Sequence, residues 1–300
     1  MRGRSQGLGT EEYVLGRFFR NIAELLEMIK IGHSVLALPF AFMGAVMAAR
    51  GLPDGRTLFY ILVAMVGARS AAMAFNRLAD AGFDAANPRT ADRALPAGRI
   101  SRGATVVFTL ASAAVFMWAA AQLNQLCFLL SPLALLVILG YSLTKRFTAA
   151  SHLVLGLSLG LAPLGGWLAV RGDLSGAVLV LAGAVLFWVA GFDILYALQD
   201  EDFDRTVGLR SLPARLGQTW ARRLAALCHV LAALGFGLTG RLAGLGPIYA
   251  GAVVVSALIL LIQHLLLSVR EPLKLPPAFF TLNGLVGIGL GLATWISLYF

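Results

Sequence analysis

Nine times along the chain, a long apolar stretch gives way to a short break of polar residues or of Pro and Gly. The stretches fall at 31–49, 58–76, 104–121, 125–141, 152–170, 175–196, 222–240, 248–268 and 278–298. Each is near the length of about 20 residues that an α-helix needs to cross a bilayer. They run without the period-two alternation of barrel strands, so the pattern predicts helices. The break between the third and fourth stretches is the thinnest, carried by Gln122, Asn124 and Gln125. The expected class is all-α: a polytopic membrane protein with nine transmembrane helices. Residues 1–30 mix Glu11, Glu12, Glu24 and Glu27 with basic residues. They read as an amphipathic cytoplasmic leader and not as a cleavable signal peptide. Behind that leader, residues 1–300 are expected to form a single membrane-embedded domain.

Composition narrows the class further. Apolar residues make up 59% of the chain and charged residues 13%, against about 45–50% and 25% in soluble domains. With a mean hydropathy of +0.81, a soluble enzyme, a disordered chain and a disulfide scaffold are all excluded. Cys127 and Cys228 lie inside apolar stretches and read as small core residues. The net charge of +9 does not point to nucleic acid, because its distribution has a simpler cause. The N-terminus and the breaks after the even-numbered stretches carry 19 of the 24 Lys and Arg; the opposite side carries Arg50, Arg56, Arg171 and Arg241. That bias predicts a cytoplasmic N-terminus and an external C-terminus.

Eight of the 15 Asp and Glu fall in two windows, 76–92 and 193–204. Both windows sit where an even-numbered stretch reaches the cytoplasm. Asn76, Asp80 and Asp84 match Tyr196, Asp200 and Asp204 at a constant offset of 120, and Arg93-x-Leu-Pro-Ala matches Arg210-x-Leu-Pro-Ala. The pattern reads as an internal repeat with two acidic helix ends. Residues four apart share a helix face, so each set predicts a carboxylate stripe, with Asp193 two turns earlier on a similar face of the second. Like charges at this spacing repel, and carboxylates near hydrocarbon are costly. Divalent cations resolve the problem. Mg²⁺ takes oxygen ligands, commonly from one or two carboxylates, and completes its shell with water and substrate phosphate. Two facing stripes therefore suit a diphosphate held between metal ions. The run Asp200-x-Asp202-x-Asp204 is not a calcium loop, because Arg205 stands where that loop needs Gly.

Bases flank the stripes: Arg89, Arg93 and Arg99 after the first, Arg205, Arg210 and Arg215 after the second. Arg93 and Arg210 stand out as diphosphate contacts because their context repeats. Arg69 lies two turns deeper than Asn76 on the same face, where it either pairs with Asp193 or binds a substrate anion. Tyr141 and Lys145 close the fourth stretch at i,i+4. The lysine either snorkels to the interface or neutralises a leaving group, and the phenol offers a π face to a cation. His33 reads as a buried hydrogen-bonding residue or, less simply, a catalyst. No Ser-His-Asp triad, phosphate loop or zinc spacing is present in the sequence.

These motifs resemble the UbiA superfamily of intramembrane aromatic prenyltransferases along essentially the whole chain. NRLADAGFD (76–84) is similar to that family's N-x-x-x-D-x-x-x-D, DEDFD (200–204) to its second aspartate motif, and YSLTK (141–145) to its Y-x-x-x-K. KIGHSVLALPF, NPRTADRALPAG and GFDILYALQDEDFD look most like bacterial 4-hydroxybenzoate polyprenyltransferases. The resemblance implies helices around a central cavity, capped by cytoplasmic loops, in a bacterial inner membrane. It implies Mg²⁺-dependent transfer of a polyprenyl group from its diphosphate to a ring carbon of an aromatic acid such as 4-hydroxybenzoate, in respiratory quinone synthesis. Asn76, Asp80, Asp84, Asp200 and Asp204 would hold the metal. Lys145, Arg93 and Arg210 would add positive charge. Asp193 and Tyr141 would shield the allylic cation or orient the acceptor, and Arg69 and Tyr196 would contact substrate. A dihydroxynaphthoate of menaquinone synthesis is the alternative acceptor. A cation-coupled transporter is the alternative class, but its acids would lie near the midplane and its repeats would be inverted.

Overall fold

The computed structural model of the chain describes Glu24 and residues 36–268 and 278–300. The expected leader, apart from Glu24, lies outside the described residues, and so does His33. Among the described residues the architecture is entirely helical: α1 (Leu38–Ala49), α2 (Gly55–Ala86), α3 (Arg102–Leu123), α4 (Gln125–Thr144), α5 (Ser151–Arg171), α6 (Gly176–Ala197), α7 (Glu201–Thr206), α8 (Leu212–Ala243), α9 (Pro247–Ser268) and α10 (Ala278–Ile296). Eight of these elements are long and apolar enough to cross a membrane, and α1 is a shorter apolar helix of 12 residues. Each of the nine expected stretches corresponds to one of them, with the short α7 added between the sixth and seventh.

The polar breaks act as caps. Asp54, Ser101, Ser175 and Ser211 each accept a backbone N–H in the first turn of the helix that follows, satisfying donors that have no partner within the helix. Asn124 alone separates α3 from α4. Its extended backbone breaks the helix, its side-chain oxygen accepts from Cys127 N–H at 2.9 Å, and its amide donates to Leu168 O at 2.8 Å on α5. One residue thus ends a helix, starts another and ties the corner to a third.

Helix α6 is the most enclosed span, packed between α5 and α8, while α1 packs on α5 and α10. Phe40 and Met43 of α1 meet Trp188 of α6 and Phe236 of α8 in the core. Small residues permit close backbone approach, as is usual where lipid supplies no hydrophobic drive between helices. A Cβ on Gly44 would stand 2.1 Å from Pro163 O, and one on Gly156 would stand 2.2 Å from Leu186 O. The outer faces of α3, α4 and α9 expose Val107, Leu110, Leu133, Leu136, Val254 and Leu258. Apolar surface on that scale fits lipid and not water; the protein is an integral membrane protein.

Two features place the site. Helix α2 runs ten residues beyond its expected end, carrying Asn76, Asp80 and Asp84 on one unbroken helix. Helix α6 instead stops at Ala197, and a 3₁₀ turn over Leu198–Asp200 leads into α7. The expected continuous second stripe is therefore corrected. The 3₁₀ turn advances the chain by about 120° per residue instead of 100°, which over three residues rotates Asp200 and Asp204 by about 60° about the helix axis relative to Asp193. A cavity of about 250 Å³ at the opposite end of the bundle, lined by Met47, Arg50, Trp167 and Leu242 among others, shares no residue with these acids.

Candidate active site

The acids of α2 are buried and matched. Asp80 is 6% exposed, and Lys145, the C-cap of α4, donates from Nζ to its Oδ2 at 2.7 Å. Asn76 Nδ2 donates to the same oxygen at 3.3 Å and to Ser142 Oγ at 3.4 Å. Asp84 accepts from Arg93 Nη1 at 2.7 Å and from Arg77 Nη1 at 3.4 Å. A buried carboxylate needs such partners, because an uncompensated one costs several kcal/mol. The YSLTK segment thus meets the first acid stripe directly, although 65 residues of sequence separate Lys145 from Asp80.

The second set is reached from the loop after α2. Arg89 grips Asp200 with two parallel bonds, Nε to Oδ1 at 3.0 Å and Nη2 to Oδ2 at 2.5 Å. Its guanidinium also lies over the Tyr196 ring and bonds the phenol oxygen at 3.4 Å. Burial opposes the charge on Arg89, but the hydrogen bonds and attraction of Asp200 outweigh it and hold the group above the ordinary guanidinium range. Asn87 Nδ2 reaches Asp200 Oδ1 at 3.5 Å. Asp204 is half-buried and feels both Asp200 and Lys145, so the two stripes share one electrostatic field. Asp202, between them in sequence, faces outward.

Deeper in the bundle, Tyr141 lies within electrostatic reach of Arg69, Asp193, Arg77 and Asp80. Arg69 does not pair with Asp193. Its Nε is buried without a hydrogen-bond partner among the described residues, and Asp193 Oδ2 instead meets His152 Nδ1 at 2.7 Å. Of the two readings left open for Arg69, the ion pair with Asp193 is the one the geometry rules out.

Arg210 departs from its expected role. Its guanidinium donates to Phe147 O at 2.8 Å and its backbone N–H to Lys145 O at 2.8 Å, so it pins the loop after α4 and pairs with no acid among the described residues. The matching Arg-x-Leu-Pro-Ala motifs thus place their arginines differently, Arg93 on a carboxylate and Arg210 on a carbonyl. Sequence reasoning also passed over Arg77 and His152 and treated Arg89 only as a flanking base. Arg77 had a signal in its position beside Asn76. His152 had none, since 41 residues separate it from Asp193.

No three His, Cys, Asp or Glu side chains converge on a point among the described residues. A donor set for Mg²⁺ is nevertheless present. Asp80 Oδ1 is buried with no partner, an expensive state for a carboxylate oxygen unless a cation completes it. Asn76, Asp80, Asp84, Asp200 and Asp204 offer only hard oxygen ligands, and Mg²⁺ needs just one or two carboxylates when phosphate and water fill the rest. The residues fit the ion.

The sequence profile of the UbiA prenyltransferase family matches residues 37–285. The chain is 30% identical over 282 residues to the 4-hydroxybenzoate octaprenyltransferase of Vibrio cholerae, covering 92% of this chain and 96% of that one. It is similar to the apo structure of a UbiA homolog from Aeropyrum pernix K1, with a TM-score of 0.81, 34% identity, and 89% and 98% of the two chains covered. A UbiA homolog from Archaeoglobus fulgidus, solved bound to DMAPP and Mg²⁺, shares the fold with a TM-score of 0.70 at 18% identity, covering 91% and 99%.

Proposed function

The chain belongs to the UbiA prenyltransferase family, and on that premise we propose that it transfers a polyprenyl group from its diphosphate to a ring carbon of 4-hydroxybenzoate. The observation that carries this reading is the matched set of charges at one end of the bundle. Asp80, Asp84 and Asp200 are each paired with a cation, Lys145, Arg93 or Arg89. A magnesium diphosphate is chemically the same pairing with the partners exchanged. The carboxylates would hold the metal, and the released Lys145, Arg89 and Arg93 would hold the diphosphate oxygens. Asn76 and Asp204 would complete the metal shell with oxygen donors.

Mg²⁺, when bound, supplies a Lewis acid that stabilises the charge developing on the leaving diphosphate. The chain's own residues do the rest. Lys145, at the water-exposed rim of α4, neutralises the departing group. Tyr141, deeper among Arg69 and Asp193, turns its ring toward the allylic cation and shields it from water. Arg69 holds the carboxylate of the aromatic acid, which gives its unpartnered Nε an acceptor. Asp193 orients the ring hydroxyl. The apolar helices shelter the prenyl chain. The Vibrio cholerae relative supports the acceptor, and the Mg²⁺-bound archaeal homolog supports the metal. The charge bias along the sequence supports an inner-membrane orientation with the N-terminus and this site on the cytoplasmic side, and we read the whole chain as one transferase domain.

The test is to incubate the purified protein with geranyl diphosphate, Mg²⁺ and a panel containing 4-hydroxybenzoate, dihydroxynaphthoate and phenol. Prenylated 4-hydroxybenzoate is the expected product. A folded protein that modifies dihydroxynaphthoate alone would move the acceptor, and one that modifies none would overturn the reading.

A further inference from the structure

His152 carries no role in any motif, yet both of its ring nitrogens are engaged. It lies in the first turn of α5 and is 4% exposed, between Asp193 of α6 and the start of α8. Nδ1 is 2.7 Å from Asp193 Oδ2, and Nε2 accepts the backbone N–H of Leu212 at 3.3 Å. That second contact decides the tautomer. A backbone N–H is always a donor, so Nε2 must present its lone pair and the ring proton must sit on Nδ1. A doubly protonated ring would place two donors face to face. The imidazole is therefore a neutral, one-way donor to Asp193.

The Leu212 N–H is itself available because it lies at the N-terminus of α8, where it has no helical acceptor. Asp193, by contrast, is 28% exposed and lies near the Tyr141 ring. Oδ2 is tied back to a buried ring, and no hydrogen bond occupies Oδ1 among the described residues. This is how an imidazole fixes a carboxylate's rotamer without neutralising it.

We propose that His152 is a positioning residue, which holds Asp193 so that its free oxygen accepts the acceptor's ring hydroxyl. The inference rests on the proposed aromatic-acid chemistry. It makes the acceptor the substrate that His152 serves first, although the ring also lies within electrostatic reach of Asp204. It also links acceptor geometry to the Arg210–Leu212 segment, which is pinned to the loop after α4 through Arg210 N–H and Lys145 O.

The experiment compares wild type, His152→Ala, His152→Asn and Asp193→Asn by steady-state kinetics in which each substrate is varied in turn. Asn can place an amide N–H near the position of Nδ1, so it is the conservative replacement. His152→Ala is expected to raise the 4-hydroxybenzoate KM or lower kcat by about tenfold or more while leaving the geranyl diphosphate KM unchanged, and His152→Asn to recover most of the loss. In the Asp193→Asn background, His152→Ala is expected to add little, because the two act as one unit. Equal damage to both substrates without rescue by Asn, or full additivity with Asp193→Asn, would overturn the proposal. If His152→Ala does not fold, His152→Phe, which keeps the ring volume and removes the Nδ1 donor, carries the same test alone and in the Asp193→Asn background. An inactive wild type would instead count against the proposed function itself.

Discussion

At the end of α2, Asp80 and Asp84 stand one turn apart on an unbroken helix, both under a tenth exposed, each met by a cation from a different part of the chain. At the end of α6 the helix stops at Ala197, and Asp200 and Asp204 are carried by a 3₁₀ turn and a six-residue helix. There Asp200 is held by Arg89 from the opposite stripe, and Asp204 is half-buried. Matching sequence has produced one long helix on one side and a 3₁₀ turn with a short helix on the other. A long packed helix fixes its side chains through many neighbours. A short helix depends on a few contacts, here the i,i+4 bond from Arg205 to Glu201 and the turn closed by Leu209 N–H on Asp204 O. The proposed metal site thus takes one pair of carboxylates from a long packed helix and the other from a 3₁₀ turn and a short helix.

The sharpest way to break this contrast is to remove one carboxylate from each side. Asp80→Ala and Asp200→Ala should each lower prenyl transfer to 4-hydroxybenzoate by about a thousandfold or more, and chelation by EDTA should do the same until Mg²⁺ is restored. Full activity in either variant would remove that residue from the metal site. The two should differ in stability: Asp80→Ala leaves Lys145 facing a buried gap and should lower the thermal midpoint more than Asp200→Ala does.

Next in size is Arg69→Ala, which should raise the KM for 4-hydroxybenzoate by about ten- to a hundredfold, the worth of a hydrogen-bonded charge. Its effect on phenol, which has no carboxylate, should be small. An unchanged KM for the acid would return Arg69 to a structural role.

A smaller effect tests the bridge between the two stripes. Arg89→Gln should destabilise the ligand-free protein by about 1 kcal/mol, given how exposed the arginine is, and saturating Mg²⁺ with geranyl diphosphate should widen the gap, because a variant without the arginine binds the diphosphate less tightly and gains less from it. A gap that persists unchanged with both ligands would mean that Arg89 and Asp200 stay paired throughout. The smallest effect belongs to Arg210→Gln, whose guanidinium holds only Phe147 O: kcat/KM should change by no more than about threefold. A loss equal to that of Arg93→Gln would restore the functional equivalence of the two motifs.

Much of the fold was legible because the bilayer leaves few choices. Apolar runs must be helices, and the polar residues between them must cap those helices or face water, as Asp54, Ser101, Asn124, Ser175 and Ser211 do. Acids four apart at the end of α2 were legible for a similar reason, since the helix that carries them continues. The register failed after α6, where nothing in ILYALQDED announces a 3₁₀ turn. Arg93 and Arg210 failed to match because each takes its partner from a remote segment that the shared motif does not encode.

Hydrophobic pattern, charge bias and acid spacing by themselves determined that this protein crosses a membrane, which ends of its helices carry carboxylates, and what ion those carboxylates suit. These properties are local, set by periodicity and by the cost of polar groups in hydrocarbon. Tertiary structure alone decided which cation meets which acid, that Asp193 answers to His152 and leaves the Nε of Arg69 without a hydrogen-bond partner among the described residues, and that a 3₁₀ turn interrupts the helix that carries the second stripe. Those outcomes depend on which segments pack side by side, and residues 41, 65 or 111 positions apart become neighbours only when the whole bundle closes.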